Sequence, residues 1–290
     1  MNNSKFTEAA PSGSDPQRSD ATTAWPALGL AEVAAALGEL ARRFDVDILA
    51  ECDSTNARLL SLAEAGAAAG SVIAAERQTA GRGRRGRTWL SASGDSLTFS
   101  LLWRFPPDRS LSGLSLAVGV ALARALESLG VGGVALKWPN DVLLNGRKLA
   151  GVLIEMVPGA RPQAAVIGVG INLRLPRGMP EALRQTAAAL SEAGTGEGPA
   201  LPTTSSLLAH LLTHLHEVLH GFAAQGFAGQ RQAWLMRHAF EGEPVSLLSD
   251  FAAPLQGRCR GVDVDGALLL ETAAGMQRIV SGEVSLRKNR

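Results

Sequence analysis

The densest chemistry in the chain lies in residues 77–87. They read RQTAGRGRRGR and set Arg77, Arg82, Arg84, Arg85 and Arg87 among Gly81, Gly83 and Gly86. Guanidinium forks grip phosphate and carboxylate oxygens in pairs. Glycines let the backbone turn through positive φ and bring its N–H groups close to an anion. The loop therefore has the makings of an anion cradle. A charge run is most often a solvated face, but this one sits between two segments of strand character. Gly81-x-Gly-x-x-Gly86 matches the dinucleotide fingerprint in form. No helical pattern follows it, however, and Pro106 stands where an acidic residue is wanted. No Gly-Lys-Ser/Thr follows, which excludes a Walker A loop. An RGG-type nucleic-acid segment is the third reading of the run.

A second cluster is Lys137-Trp138-Pro139-Asn140-Asp141, with Lys148 a few residues on. Between them Asn145-Gly146 separates two apolar runs, a strong hairpin signal. Strands joined by a two-residue turn are neighbours, so Asp141 and Lys148 can come close on one sheet. Lys, Asn and Asp together can hold a phosphate, a Mg²⁺ ion and a carboxylate. The plain alternative is a surface hairpin with an ion pair, against which Trp138-Pro139 argues.

The surrounding elements follow from periodicity. A helix is expected over 30–44, where Val33, Leu37, Leu40 and Phe44 form one stripe. A strand over 45–51 leads to Ser54 or Thr55 as N-cap of a helix ending near Ala65. Strands follow at 72–75 and 96–103, then a long apolar helix at 111–129. Segments at 134–138 and 142–144 precede the turn, 148–156 follows it, and 164–173 is a further strand. Residues 181–202 are rich in Ala and Gly and weakly ordered. Helices are expected at 205–222 and 227–240. Beyond 240 the texture changes to short strands at 243–248, 255–262, 267–271 and 276–280 between turns such as Asp265-Gly266, a small barrel-like module. Helices mixed with hairpins indicate an α+β fold with a mixed sheet.

Five motifs then occur in order: DSTN at 53–56, ERQTAGRGRRGR at 76–87 with Trp89, KWPND at 137–141, RKLAG at 147–151 and GVGINL at 168–173. Together they resemble the catalytic domain of biotin–protein ligases over about residues 45–240, and the C-terminal module resembles that family's SH3-like domain. The resemblance implies a class II synthetase-like mixed sheet packed with helices (27–240), a small SH3-like β-barrel (241–290) and a disordered tail (1–26). It implies that Ser54, Thr55, Asn56, Gln78, Arg82, Gly83 and Arg84 form the biotin pocket. Lys148 would lie between the biotin carboxylate and the α-phosphate, and Lys148 and Arg84 would be the catalytic pair. Arg84, Arg87, Lys137, Asn140, Asp141 and Asn172 would serve ATP, with Trp89 against the adenine and Asp141 towards Mg²⁺. The implied activity makes biotinyl-5′-AMP from biotin and ATP and passes biotin to a lysine of the biotin carboxyl carrier protein. A lipoate-type ligase of the same fold is the runner-up.

Composition sets the remaining bounds. The chain has 290 residues, 46% of them apolar and 19% charged, with a formal net charge of +1. That balance fits a globular protein and excludes a uniformly basic nucleic-acid binder. Cys52 and Cys259 stand in no metal or redox spacing and read as free thiols of a reducing compartment. The N-terminus has no signal-peptide pattern, and no apolar stretch reaches bilayer length, so a cytoplasmic protein is expected, with no membrane partner. His216-Glu217-Val218-Leu219-His220 matches the zinc-hydrolase pattern, though a solvated helix face with chance histidines is the simpler reading. Only 52 residues precede Asp53, short for a DNA-binding winged helix, and no DNA binding is expected. A monomer and a homodimer are both compatible with the sequence.

Overall fold

A computed structural model describes residues 25, 27–176, 178–193, 201–249, 253–280 and 284–288. The tail expected over 1–26 lies outside these apart from Trp25. Helix α1 (Leu30–Leu37) leads through a 3-10 turn to strand β1 (Asp45–Cys52), helix α2 (Thr55–Glu64) and strand β2 (Ser71–Gln78). Next come β3 (Ser96–Phe105), α3 (Leu114–Ser128), β4 (Val134–Lys137), β5 (Asp141–Leu144), β6 (Arg147–Met156) and β7 (Gln163–Asn172). Then follow the short α4 (Glu181–Arg184), α5 (Thr204–Gln225) and α6 (Ala228–Leu235). The seven strands form one sheet in the order β1-β2-β3-β7-β6-β5-β4. It is mixed, as expected, because β1 runs parallel to β2 and the other pairs are antiparallel.

Side chains alternate across a strand, and here the alternation sorts structure from chemistry. Leu97, Phe99, Leu101, Trp103 and Phe105 of β3 and Ile167, Val169 and Ile171 of β7 enter the main core beneath α3 and α5. Leu102 and Val166 point the other way, into a smaller cluster with Leu59 and Ala63 of α2. Ser100, Gly168, Gly170 and Asn172 share that second face by parity. α3 is buried almost all round, which explains its continuous apolar sequence.

The C-terminal strands β8 (Pro244–Ser249), β9 (Leu255–Val262), β10 (Leu268–Thr272), β11 (Gly275–Ile279) and β12 (Val284–Lys288) form an antiparallel sheet in the order β11-β10-β9-β8-β12. The expected barrel thus takes the form of a five-stranded sheet, and no β11–β12 pairing closes it among the described residues. Its Val245, Leu247, Cys259, Val262, Leu268, Leu270 and Leu286 join the main core. The indole of the fully buried Trp138 donates to Gly266 O at 3.1 Å, tying the site hairpin to this sheet.

Several expectations need correction. The helix expected over 30–44 stops at Leu37, because Gly38 takes φ 55° and a 3-10 turn follows. The helix expected to reach 240 ends at Leu235, because the chain beyond it pairs with the free edge of β4: Leu136 N donates to Arg237 O at 2.7 Å and Ala239 N to Leu136 O at 2.9 Å. Tertiary pairing there overrides helical propensity. The weakly ordered stretch holds α4 and a 3-10 turn, and its residues 194–200 lie outside those described. Strand β12 was not anticipated at all. Among the described residues, no helix is long and apolar enough to cross a membrane.

Candidate active site

Every site residue implied by the resemblance lines one cleft of about 470 Å³ on the α2 side of the sheet, whereas Arg77 pairs with Glu51 outside it. At one end lies the N-terminus of α2. Ser54 is its N-cap and accepts from Ala57 N at 3.4 Å. Thr55 N donates to Gln78 Oε1 at 2.8 Å, which fixes the end of β2 against the helix. Asn56 is buried, with Nδ2 donating to Glu155 Oε2 at 2.7 Å and to Leu153 O at 3.3 Å. Ser100 bridges Thr55 Oγ1 at 2.8 Å and Asn56 Oδ1 at 2.6 Å. A Cβ on Gly168 would stand 2.2 Å from Asn56 Oδ1, so glycine there is what admits the amide.

The arginine loop is folded back on itself. Gly83 N donates to Arg87 O at 2.7 Å and Trp89 N to Gly81 O at 2.9 Å. Its tip turns through positive φ at Arg85 and Gly86, and Gly81 lies so close to Trp89 O that a Cβ would be 2.5 Å away. Arg84 Nη1 reaches Asn140 Oδ1 at 3.4 Å, and Arg82 Nη2 lies 3.5 Å from Glu155 Oε2. The loop thus spans the cleft from the β6 side to the β4–β5 turn. Burial pulls the Arg84 guanidinium below its ordinary pKa. Asp141 opposes that shift and Arg85 and Arg87 add to it. Such mutual repulsion is relieved by a bound anion. Trp89 lies against Gly170 and near Gly151, with Lys148 Nζ 5.8 Å from its ring centre.

Lys148 reaches the cleft because of a bulge. Asp141 pairs with Gly151 and Val142 with Ala150, but Leu143 pairs with Lys148, which leaves Leu149 as the extra residue. Leu149 and Ala150 both enter the core, and the one-residue slip turns Lys148 onto the same face as Asp141. Its ammonium sits 2.6 Å from Asp141 Oδ1, and Lys137 Nζ sits 3.4 Å from Oδ2. Burial pushes the Asp141 carboxyl up, but Lys148 and Lys137 together outweigh it and hold the pKa below the usual value. Lys137 is itself lowered, by burial first, with Asp141 opposing. Asn140 Nδ2 donates to Val152 O at 2.8 Å, which turns its Oδ1 towards Arg84. Asn172 spends its amide hydrogens on Lys148 O and Ala188 O, so within the chain it fixes the backbone that carries Lys148.

Sequence reading missed three contributions. Thr186 O accepts from Lys148 N at 2.8 Å, so the stretch given no role lies beside Lys148, and Leu183, Gln185, Thr186 and Ala187 line the cleft. Arg287 and Lys288 of β12 also line it, bringing C-terminal cations to the Lys137 end. Glu155, at the end of the apolar run of β6, ties Asn56 to Arg82. The alternation Gly151, Leu153, Glu155 put it on the cleft face, a signal that was legible. The HExxH histidines do not line the cleft. His216 and His220 pack edge-on against Trp103, and Glu217 pairs with His214. Among the described residues no three His, Cys, Asp or Glu side chains group as metal ligands.

Comparison with known proteins agrees with this geometry. The model of the biotin/lipoate A/B protein ligase family matches residues 49–172, and that of the biotin protein ligase C-terminal domain matches 242–287. The bifunctional ligase/repressor BirA of Escherichia coli is 38% identical over 83% of this chain and 74% of its own. The biotin–[acetyl-CoA-carboxylase] ligase of Paracoccus denitrificans is 38% identical over 82% of this chain and 98% of its own. The structure of biotin protein ligase from Aquifex aeolicus in complex with biotin and ATP matches with a TM-score of 0.73 at 32% identity, covering 84% of this chain and 99% of that one. With cleft, fold and both domain models in agreement, the chain belongs to the biotin protein ligase family.

Proposed function

We propose that the chain is an ATP-dependent biotin–protein ligase that activates biotin as biotinyl-5′-AMP and then biotinylates a lysine of a carboxylase's carrier protein. The observation that carries this reading is the convergence of a polar pocket at the α2 N-terminus and a cation-rich loop and hairpin on one cleft. A ureido ring offers two N–H donors and one acceptor, which suits a floor of Ser54, Thr55 and Gln78. A lipoyl dithiolane would leave those groups unpaired, at a cost of about 1–3 kcal/mol each.

In the first step a biotin carboxylate oxygen attacks the α-phosphorus of ATP and pyrophosphate leaves. An anion must approach a polyanion, and at 4 Å two like charges repel by about 1 kcal/mol in water and about 4 kcal/mol near a protein surface. Lys148, turned onto the cleft face by its bulge, is placed to bridge the carboxylate and the α-phosphate. Arg84, Arg87, Lys137 and Arg287 surround the phosphates. Catalysis is then mostly positioning and charge stabilisation, which needs cations rather than a protein nucleophile. Mg²⁺ carried on ATP needs only one or two protein oxygens. Asp141 and the Oδ1 of Asn140 fit that use, and the ion would neutralise charge on the phosphates. In the second step the carrier lysine's amine attacks the acyl carbon, a C–N bond replaces the anhydride C–O bond, and AMP leaves. The arginine loop, spanning the cleft, shields the anhydride from water meanwhile.

The test is biotin-dependent ATP–pyrophosphate exchange, followed by transfer of labelled biotin to an apo carrier protein. Exchange that does not depend on biotin, or that lipoate supports equally well, would overturn the reading.

A further inference from the structure

Glu155 lies behind the residues that face the substrates, yet it touches both halves of the biotin site. Its Oε2 accepts from Asn56 Nδ2 at 2.7 Å and stands 3.5 Å from Arg82 Nη2 at the foot of the loop. Asn56 is 3% exposed, whereas the Glu155 side chain is 29% exposed. The Asn56 bond is therefore the stronger of the two, since a half-exposed ion pair contributes little.

A carboxylate only accepts, and that fact propagates. Glu155 Oε2 and Leu153 O lie on one side of Asn56, so its nitrogen must face them and its Oδ1 must face Ser100. The Ser100 hydroxyl has one hydrogen, and Asn56 Oδ1 at 2.6 Å takes it. Thr55 Oγ1, 2.8 Å from Ser100, then has to be the donor across that contact. Gln78 Oε1 takes the Thr55 backbone N–H at 2.8 Å and also lies 3.2 Å from Thr55 Oγ1, a longer contact than the 2.8 Å one to Ser100 for the hydroxyl's single hydrogen. With its hydrogen committed to Ser100, Thr55 Oγ1 is left as an acceptor for a ligand N–H. Donor direction runs one way, from Thr55 through Ser100 and Asn56 to Glu155.

We propose that Glu155 is a positioning residue for the vitamin. Its charge fixes this direction so that the pocket floor accepts from a ureido N–H, and it anchors Arg82 beneath the loop. This inference rests on the biotin-ligase reading above. Glu155→Ala removes both effects. Glu155→Gln can keep an oxygen at the Oε2 position towards both Asn56 and Arg82 but carries no charge, so it restores the first effect and weakens the second.

The experiment measures biotin Kd by calorimetry, and KM for ATP and kcat by pyrophosphate exchange, for wild type, both variants, Arg82→Ala and the Glu155→Ala/Arg82→Ala double variant. Biotin methylated in turn at each ureido nitrogen serves as the donor-deficient probe. Glu155→Ala is expected to weaken biotin about 10- to 100-fold, the loss of one charge-assisted bond. KM for ATP should stay within about twofold, since the cations at that end are untouched. Preference for biotin over one of the methylated probes should fall, and Glu155→Gln should lie between wild type and Glu155→Ala. The double variant should lose less than the sum of its parts. A structural role alone would weaken biotin and ATP together and leave the preference unchanged, which would overturn the proposal. Glu155→Ala that binds biotin as wild type does would also overturn it. Glu155→Gln equal to wild type would remove the Arg82 anchor. If wild type itself bound no biotin, the reading of the site would fail first, and the two failures are thereby told apart.

Discussion

The tightest test of the pocket floor is one methyl group. A Cβ on Gly168 would lie 2.2 Å from Asn56 Oδ1, 2.8 Å from its Cγ and 3.0 Å from its Nδ2. Ordinary contact begins near 3.4 Å, so the amide would have to retreat by about 1.2 Å, the difference of the two distances. Asn56 has nowhere to retreat at no cost. It is 3% exposed and bound to Ser100 at 2.6 Å and to Glu155 at 2.7 Å. A shift of that size breaks at least one of these bonds. Overpacking a tight interior costs about 1–3 kcal/mol, and a buried polar group left unpaired costs a similar amount. Where the loss falls on the pocket, about 1.4 kcal/mol is tenfold in affinity.

Gly168→Ala is therefore expected to weaken biotin about 5- to 100-fold in calorimetry. It should lower Tm by about 2–4 °C for each kcal/mol lost from the fold. Gly170→Ala is the control on the same strand face. Its Cβ would meet Trp89 Cε2 at 2.4 Å, but Trp89 is partly exposed on the loop and can swing aside. That variant should keep its Tm while the fluorescence of the loop tryptophan changes. Biotin affinity within twofold of wild type for Gly168→Ala, with Tm unchanged, would refute the packing argument.

Further outcomes follow from the same geometry. Lys148→Ala should lower biotin-dependent pyrophosphate exchange by about 100-fold or more, the scale of losing one transition-state donor, and an unchanged rate would remove Lys148 from the first step. Arg84→Ala should let biotinyl-5′-AMP escape into solvent, read as faster loss of the adenylate on gel filtration, and wild-type retention would count against the loop as a shield. Asp141 sits below its ordinary 3.8, so its contribution to stability is full above that value and is lost as pH falls through the lower folded-state pKa. The urea-midpoint gap between wild type and Asp141→Asn should hold from about pH 7 to about pH 5 and close in more acid solution; a constant gap would refute the pairing. Cys259 is fully buried and its thiol is pushed up to about 11 by burial, so it should resist alkylation at mild alkaline pH until the protein unfolds.

What the sequence disclosed, and what it withheld, has a physical basis. The N-cap of α2, the Asn145-Gly146 turn and strand β9 were legible because each depends on neighbours within a few residues. Ser54 caps by its own side chain, and Asn145 and Gly146 both take positive φ. The end of α1 lies at Gly38, a local signal masked by the apolar stripe that runs on to Phe44, whereas the end of α6 was not legible because a partner far along the chain decides it. For α6 that partner is the edge of β4. The Asp141–Lys148 pair was anticipated from adjacency across the turn, yet the reason it forms is the bulge at Leu149, and nothing in RKLAG marks a bulge. Strand β12 is short and closely follows residues outside those described. Its partner is β8, some forty residues earlier, across a pairing no local pattern encodes.

The site itself was written in a break of pattern. A central strand covered on both faces should read as an unbroken apolar run. β3 (SLTFSLLWRF) breaks that run at Thr98 and Ser100, and β7 (QAAVIGVGIN) breaks it at Gly168, Gly170 and Asn172. All are buried, and all alternate with core residues, so they share the face opposite α3 and α5. Burying a hydroxyl without a partner costs about 1–3 kcal/mol, and a glycine within a strand weakens it. A fold has reason to keep such interruptions in step on neighbouring strands only where the face they share must take in something besides its own side chains. Ser100 bonded to Asn56, and Gly168 opened to receive it, are that face's answer: β3 and β7 together leave room for a helix N-terminus to present its polar side chains to a ligand.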